Sequence, residues 1–195
     1  MLVLGINGSP RKGGNTEILL DCALAGAKRA GAETLKINLG ELNFSPCKSC
    51  AKAKKNGECI VIDDMQKIYS AVKNADGLIL ASPVYFGSIS AQTKMLIDRF
   101  QCHWAAVYQH KTLKQQAERP GFFLCAEAGS QNSFFENSRF IVRNFFTTLN
   151  IKYFGGLLCT GLEAAAEVLK RKECLEKAEQ EGFDLVRGYN EVHKV

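Results

Sequence analysis

No stretch of this 195-residue chain approaches the roughly 20 apolar residues of a membrane-spanning helix, so no transmembrane segment is expected. No basic leader or small-residue cleavage site precedes the first apolar run, and a cytoplasmic protein is the expectation. Excess charge of one sign is also small: 25 Lys and Arg stand against 20 Asp and Glu, a net +5. A nucleic-acid binder would carry a stronger, clustered basic face, and the local group Lys48, Lys52, Lys54 and Lys55 reads as a solvated surface. There is no internal repeat, no low-complexity segment and no linker, so residues 1–195 are expected to form a single domain. Histidine is rare, with three in the chain, and no catalytic triad can be traced. The remaining composition, 46% hydrophobic and 23% charged, is that of a globular protein. Its length suffices to bury a core without disulfides or metals.

The stretch that carries most chemistry runs Gly5-Ile-Asn-Gly-Ser-Pro-Arg-Lys-Gly-Gly-Asn-Thr16. The apolar run Leu2–Leu4 reads as a buried strand that extends to about Asn7, and Ile18, Leu19, Cys22 and Gly26 after the loop fall at helical spacing. A loop from strand to helix start aims backbone N–H groups and the positive end of the helix dipole at whatever lies above. Ser9, Asn15 and Thr16 add donors, and Arg11 and Lys12 add positive charge. The alternative is an ordinary strand-to-helix turn. A nucleoside triphosphate is disfavoured because Gly14-Asn15 stands where a P-loop has Lys-Ser/Thr. A dinucleotide is disfavoured because Asn7 takes the place of the middle glycine of G-x-G-x-x-G. A terminal phosphomonoester fits.

Further along, strands are expected at Glu33–Leu39, Gly77–Ser82, Phe122–Ala126 and Ile151–Leu158. Helices are expected from Asn15 to Ala30, after Asp63-Asp64 to Asn74, from Ser90 past Phe100, over Asn132–Leu149 and over Glu163–Tyr189, with 109–120 a polar loop. Continuous apolar strands alternating with helices predict an α/β fold, a doubly wound five-stranded parallel sheet. The flavodoxin-like order 2-1-3-4-5 is the natural choice.

In such a sheet the loops after strands one and three face each other across the switch point. The second of them is Ser82-Pro-Val-Tyr-Phe-Gly87, with two aromatics between a rigid and a permissive residue. Tyr85 and Phe86 could simply cover the sheet end or meet another subunit. Paired with a phosphate loop, however, they suit a flat ring joined to a phosphate, and FMN is the expected cofactor.

Both loops resemble those of the NADPH-dependent FMN reductase family, and within it the iron–sulfur flavoprotein branch. Pro46-Cys-Lys-Ser-Cys50, Gly57-Glu-Cys59, Asp63-Asp-Met65, Gln92-Thr-Lys94 and Asp98-Arg99 match as well. The resemblance implies a flavodoxin-like fold, non-covalent FMN, NAD(P)H as co-substrate, and a homodimer or homotetramer with the site at a subunit interface. It assigns Ser9, Arg11, Asn15 and Thr16 to the phosphate and Pro83, Val84, Tyr85, Phe86 and Gly87 to the isoalloxazine ring. The loop Glu127-Ala-Gly129-Ser130 approaches the other side, departing from the family's small-residue pattern at Glu127.

A cysteine-containing excursion is expected at about 43–62, with Cys47-x2-Cys50-x8-Cys59. The cluster-bearing branch has a third cysteine two residues after the second, and here that residue is Ala53. A [4Fe–4S] cluster normally takes four thiolates, so Cys47, Cys50 and Cys59 argue against a cluster on ligand count. A redox pair at Cys47 and Cys50 or a vestigial loop of reduced thiols stays open. Cys22, Cys102, Cys125, Cys159 and Cys174 fall in expected helices and strands and read as small hydrophobes.

Three functions follow. The first is an FMN-dependent oxidoreductase that takes hydride from NAD(P)H and passes electrons to a quinone, flavin, metal or protein acceptor. The second is an electron-transfer flavoprotein without pyridine-nucleotide activity. The third, a binding protein without flavin, is disfavoured by the paired loops.

Overall fold

The structure, a computed structural model, describes residues 1–50 and 57–192. Its strands are β1 (Leu2–Asn7), β2 (Glu33–Asn38), β3 (Gly77–Tyr85), β4 (Ser88–Ile89), β5 (Arg119–Ala126) and β6 (Ile151–Cys159). Its α-helices are α1 (Asn15–Arg29), α2 (Met65–Asn74), α3 (Ala91–Arg99), α4 (Gln101–Trp104), α5 (Asn132–Thr148) and α6 (Lys172–Val192). The sheet runs β2-β1-β3-β5-β6, parallel throughout, with β4 paired antiparallel to the end of β3. Setting β4 aside, this is the expected flavodoxin-like order.

Alternate residues along each strand supply two cores. Leu4, Ile6, Leu78, Leu80, Phe123 and Cys125 face α2, α3 and α5. Val3, Ile79, Ala81, Phe122 and Leu124 face α1 and α6. Each fully buried Leu, Ile or Phe contributes about 1.5–3 kcal/mol of apolar transfer, and both faces of every central strand draw on it. The two helices on the second face touch backbone to backbone. A Cβ on Gly26 would strike the Glu179 carbonyl, and one on Gly182 the Ala23 carbonyl.

Two expected boundaries are corrected and one expected helix is interrupted. The stretch 82–87 is not a loop. β3 continues through Pro83, which pairs with Ala126 of β5, to Tyr85, then folds back as β4 through Phe86 and Gly87 at φ 49° and 75°. The helix from Ser90 continues past Phe100 as expected but is interrupted there, where the Arg99 carbonyl accepts bonds from Tyr69 Oη (2.8 Å) and Cys102 Sγ (3.3 Å), and the chain goes on through α4 into a π-turn at 105–109. The last helix starts at Lys172, not Glu163; residues 160–171 form a loop with one 3₁₀ turn at Glu167–Lys170.

Both described ends of the cysteine excursion are fastened by one buried guanidinium. Arg99, 1% exposed, bonds Asp63 Oδ2 at 2.7 Å and Oδ1 at 3.1 Å, and donates to the Ser45 (2.8 Å) and Val61 (3.2 Å) carbonyls. Asp63 also accepts the Ser45 and Met65 N–H groups, each at 3.1 Å.

Candidate functional site

The loops after β1, β5 and β6 and the end of the β3–β4 hairpin meet at the C-terminal edge of the sheet, where the chain order reverses. Gly8 leads the chain out of β1. Its N–H donates to the Ala81 carbonyl at 2.7 Å and its own carbonyl accepts Ser90 Oγ at 2.6 Å. A Cβ at Gly8 would collide with Thr93 Oγ1, so glycine is needed for close approach. Ser90 caps α3 by accepting the Thr93 N–H at 3.2 Å, and its N–H reaches Ser82 Oγ at 3.0 Å. Ser82, Ser90 and Thr93 are fully buried, and together they tie the first loop to the third strand. Sequence reasoning did not assign them a role in the site. The available signal was a serine at the expected start of α3 with a threonine three residues on.

The first loop is curled by its own side chains. Asn7 Oδ1 accepts the Ser9 N–H at 3.0 Å, and Ser9 Oγ accepts the Arg11 N–H at 3.1 Å. α1 then starts behind Gly14, which offers no side-chain cap. The first N–H groups of a helix have no intrahelical partner, so this end of α1 is a ready anion site. Behind it lies an unexpected carboxylate. Glu17 is buried and accepts the Gly13 N–H at 2.7 Å and Lys36 Nζ at 3.0 Å. Burial works to raise its pKa, but the bonds from Gly13 and Lys36 outweigh it and hold the carboxyl below its usual range.

Ser9, Arg11, Asn15 and Thr16 line one side of a cavity of about 170 Å³, and Pro83, Val84 and Tyr85 line another. The two loops singled out from sequence therefore do converge. Ala126 and Ala128 close the cavity from the β5 loop, and Leu162, Glu163 and Ala165 form a further wall. No local pattern marks that wall, because the run Glu163-Ala-Ala-Ala166 favours helix. Five other expected residues do not line the cavity. Lys12 is exposed and lies 4.0 Å from Glu41. Phe86, fully exposed, and Gly87 form the hairpin tip, where the Gly87 carbonyl accepts Asn137 Nδ2 at 2.9 Å. Glu127 is buried and turns into its own loop, where Oε1 accepts the Gln131 N–H at 3.2 Å; Gly129 lies beside that oxygen. A larger cavity of about 250 Å³ between α3 and α5 is lined by Ile97, Phe100, Trp104 and Phe140. Its Lys94 and Asp98 bond each other, and its Asn144 and Thr148 donate to carbonyls of their own helix.

The donor set suits a phosphate joined to a flat group: an uncapped helix end and two buried hydroxyls on one side, an apolar strand end on the other. The described part of the cysteine excursion offers three thiols. Cys47, Cys50 and Cys59 are half-buried, and Ala53 lies outside the described residues. Among the described residues no group of three or more Cys, His, Asp or Glu is arranged to hold a metal ion, and three thiols fall short of the usual four. Cys102, Cys125 and Cys159 are buried, and burial pushes all three thiols up, as expected of inert core cysteines. Among the described residues no helix is long and apolar enough to cross a membrane.

Residues 1–151 match the family described as NADPH-dependent FMN reductase. An iron–sulfur flavoprotein of Methanocaldococcus jannaschii is 50% identical over 99 residues, 51% of this chain and 51% of that one. The chain thus spans about half the length of that curated relative. Two solved structures share the fold. A flavone reductase superposes with a TM-score of 0.78 at 18% identity, covering 100% of this chain and 65% of the other. An NAD(P)H:quinone oxidoreductase from Methanothermobacter marburgensis superposes with a TM-score of 0.72 at 17% identity, covering 94% of each.

Proposed function

The chain belongs to the NADPH-dependent FMN reductase family, and from that premise we propose that it is an FMN-dependent oxidoreductase using NAD(P)H, formed by one flavodoxin-like domain over residues 1–195. FMN bound in the cavity would supply the redox chemistry, taking hydride from the nicotinamide and releasing electrons to a quinone, free flavin, metal ion or protein. The chain's part is to bind and orient. Ser9, Thr16, Arg11 and the free N–H groups at the start of α1 hold the phosphate, with Lys12 adding positive potential at the rim. Pro83, Val84 and Tyr85 present the flat wall, and the Phe86-Gly87 tip borders its outer edge. Glu127 and Gly129 shape the loop that brings Ala126 and Ala128 to the cavity. No side-chain acid or nucleophile is required. A fully exposed Phe86 beside the cavity supports a homodimer or homotetramer in which a second copy covers that edge.

The observation that carries this reading is the convergence of the uncapped α1 terminus and the β3 wall on one cavity. The test is steady-state oxidation of NADH and NADPH by FMN-loaded protein, with quinone, free flavin and ferric chelate as acceptors. Turnover with at least one donor–acceptor pair is expected; no turnover with any would remove the enzyme reading. The name of the M. jannaschii relative favours a second reading, an electron-transfer flavoprotein without pyridine-nucleotide activity. Rapid reduction by ferredoxin with no NAD(P)H oxidation would select it.

A further inference from the structure

The cavity wall formed after β6 belongs to a segment that follows the matched family region, and it is held in an unusual way. Residues Glu163-Ala-Ala-Ala166 have strong helix propensity, yet they do not form a regular α-helix. Ala166 sits at φ 57° and Gly161 at φ 68°. The loop is pinned to the rim of the β5 loop by Gly161 N–H to the Gly129 carbonyl (3.2 Å) and Leu162 N–H to the Glu127 carbonyl (3.0 Å). Among the described residues, its other long-range bonds go to one side chain at the first position of α1. Asn15 Nδ2 donates to the Ala164 carbonyl at 2.8 Å and, more weakly, to the Leu162 carbonyl at 3.4 Å. Asn15 Oδ1 accepts the N–H of Val168, whose side chain is fully buried, at 3.0 Å.

A primary amide has two N–H donors. The amide nitrogen of Asn15 faces two carbonyls of this loop, so turning it to a phosphate would give up the 2.8 Å bond to Ala164. Thr16, Ser9 and the helix N–H groups carry no such commitment to the loop. We propose that Asn15 is a positioning residue, a latch that couples the phosphate loop to residues 160–171 and so makes Leu162, Glu163 and Ala165 a wall of the cofactor site. The side chain of Asn15 acts on the ligand through that wall, not by bonding its phosphate. This rests on the reading of the cavity as a flavin site. It also makes the segment beyond residue 151 part of that site.

A phosphate ligand and a latch differ in what they do to a flavin without phosphate. FMN and riboflavin are titrated against apoprotein of the wild type, Asn15→Ala and Asn15→Ser, following flavin fluorescence. The latch predicts that both dissociation constants rise by the same factor, roughly tenfold for loss of the loop's anchoring bonds. A rise for FMN alone, or for neither flavin, overturns it. Amide hydrogen exchange gives a second readout that does not depend on flavin. The Val168 amide should exchange at least tenfold faster in Asn15→Ser than in wild type, and unchanged exchange overturns the latch. In wild-type protein alone, FMN should slow exchange across 160–171; no slowing there means the loop is not a wall of the site. If the wild type takes up neither flavin, the flavin reading fails, while the Val168 exchange still decides whether Asn15 holds the loop.

Discussion

Lys36 reaches from β2 to two carboxylates of α1, Glu17 at 3.0 Å and Asp21 at 2.8 Å. Burial alone would lower its pKa, but the two carboxylates outweigh that and raise it. Its position matters because Glu17 lies directly behind the anion loop. Removing Lys36 leaves a buried charge without its partner. Lys36→Met is expected to lower unfolding stability by about 1–3 kcal/mol in urea titrations and to weaken FMN more than riboflavin. Adding Glu17→Gln should restore most of both losses. On the opposite face of the sheet, beside α2 and α3, Asp63 carries a sharper pH signature. Burial works against its ionised form, but Arg99 and the Ser45 and Met65 N–H groups bring its pKa down to about 2 from 3.8. The depressed carboxyl therefore stabilises the fold above about pH 4, and that stability is lost as pH falls from 4 towards 2, amounting to about 2 kcal/mol. Asp63→Asn should flatten the acid limb of the stability profile in that window, measured by urea midpoints at pH 2–6.

Two elements show what periodicity reads and what it misses. β1 appears where the residues placed it, and α1 within a residue, because a buried apolar run and a 3.6-residue repeat are local signals. The residues of the β3–β4 hairpin read locally as a loop, since proline usually marks the end of a central strand. Pro83 stays in the sheet, near the strand's end, and the turn is made by two residues with positive φ, a geometry that favours Asn-Gly. Phe86 fills the first of these positions at φ 49° while fully exposed, a strained residue kept beside the site. Phe86→Asn is expected to raise stability by about 0.5–1 kcal/mol while weakening retention of FMN, read together from thermal midpoints with and without cofactor. The loop at 160–171 fails from the opposite cause. Its alanines favour helix locally, and hydrogen bonds to Asn15, more than 140 residues away in sequence, override that preference.

For the whole molecule, the parallel sheet was legible because continuous apolar strands alternating with helices suit a sheet covered on both faces, and the fold brings the first and third crossovers to one end. Of the site, the loop residues with polar or rigid side chains were legible. The buried Ser82–Ser90–Thr93 network and the wall after β6 depend on contacts between distant segments, and no local pattern encodes them. All of the function proposed here depends on one mononucleotide lying between the α1 terminus and the β3 wall. Titration of FMN into flavin-free protein tests this most directly. Saturable quenching of flavin fluorescence at one FMN per chain, with riboflavin bound at least tenfold more weakly, is the predicted result. FMN fluorescence that does not change on adding protein would contradict it.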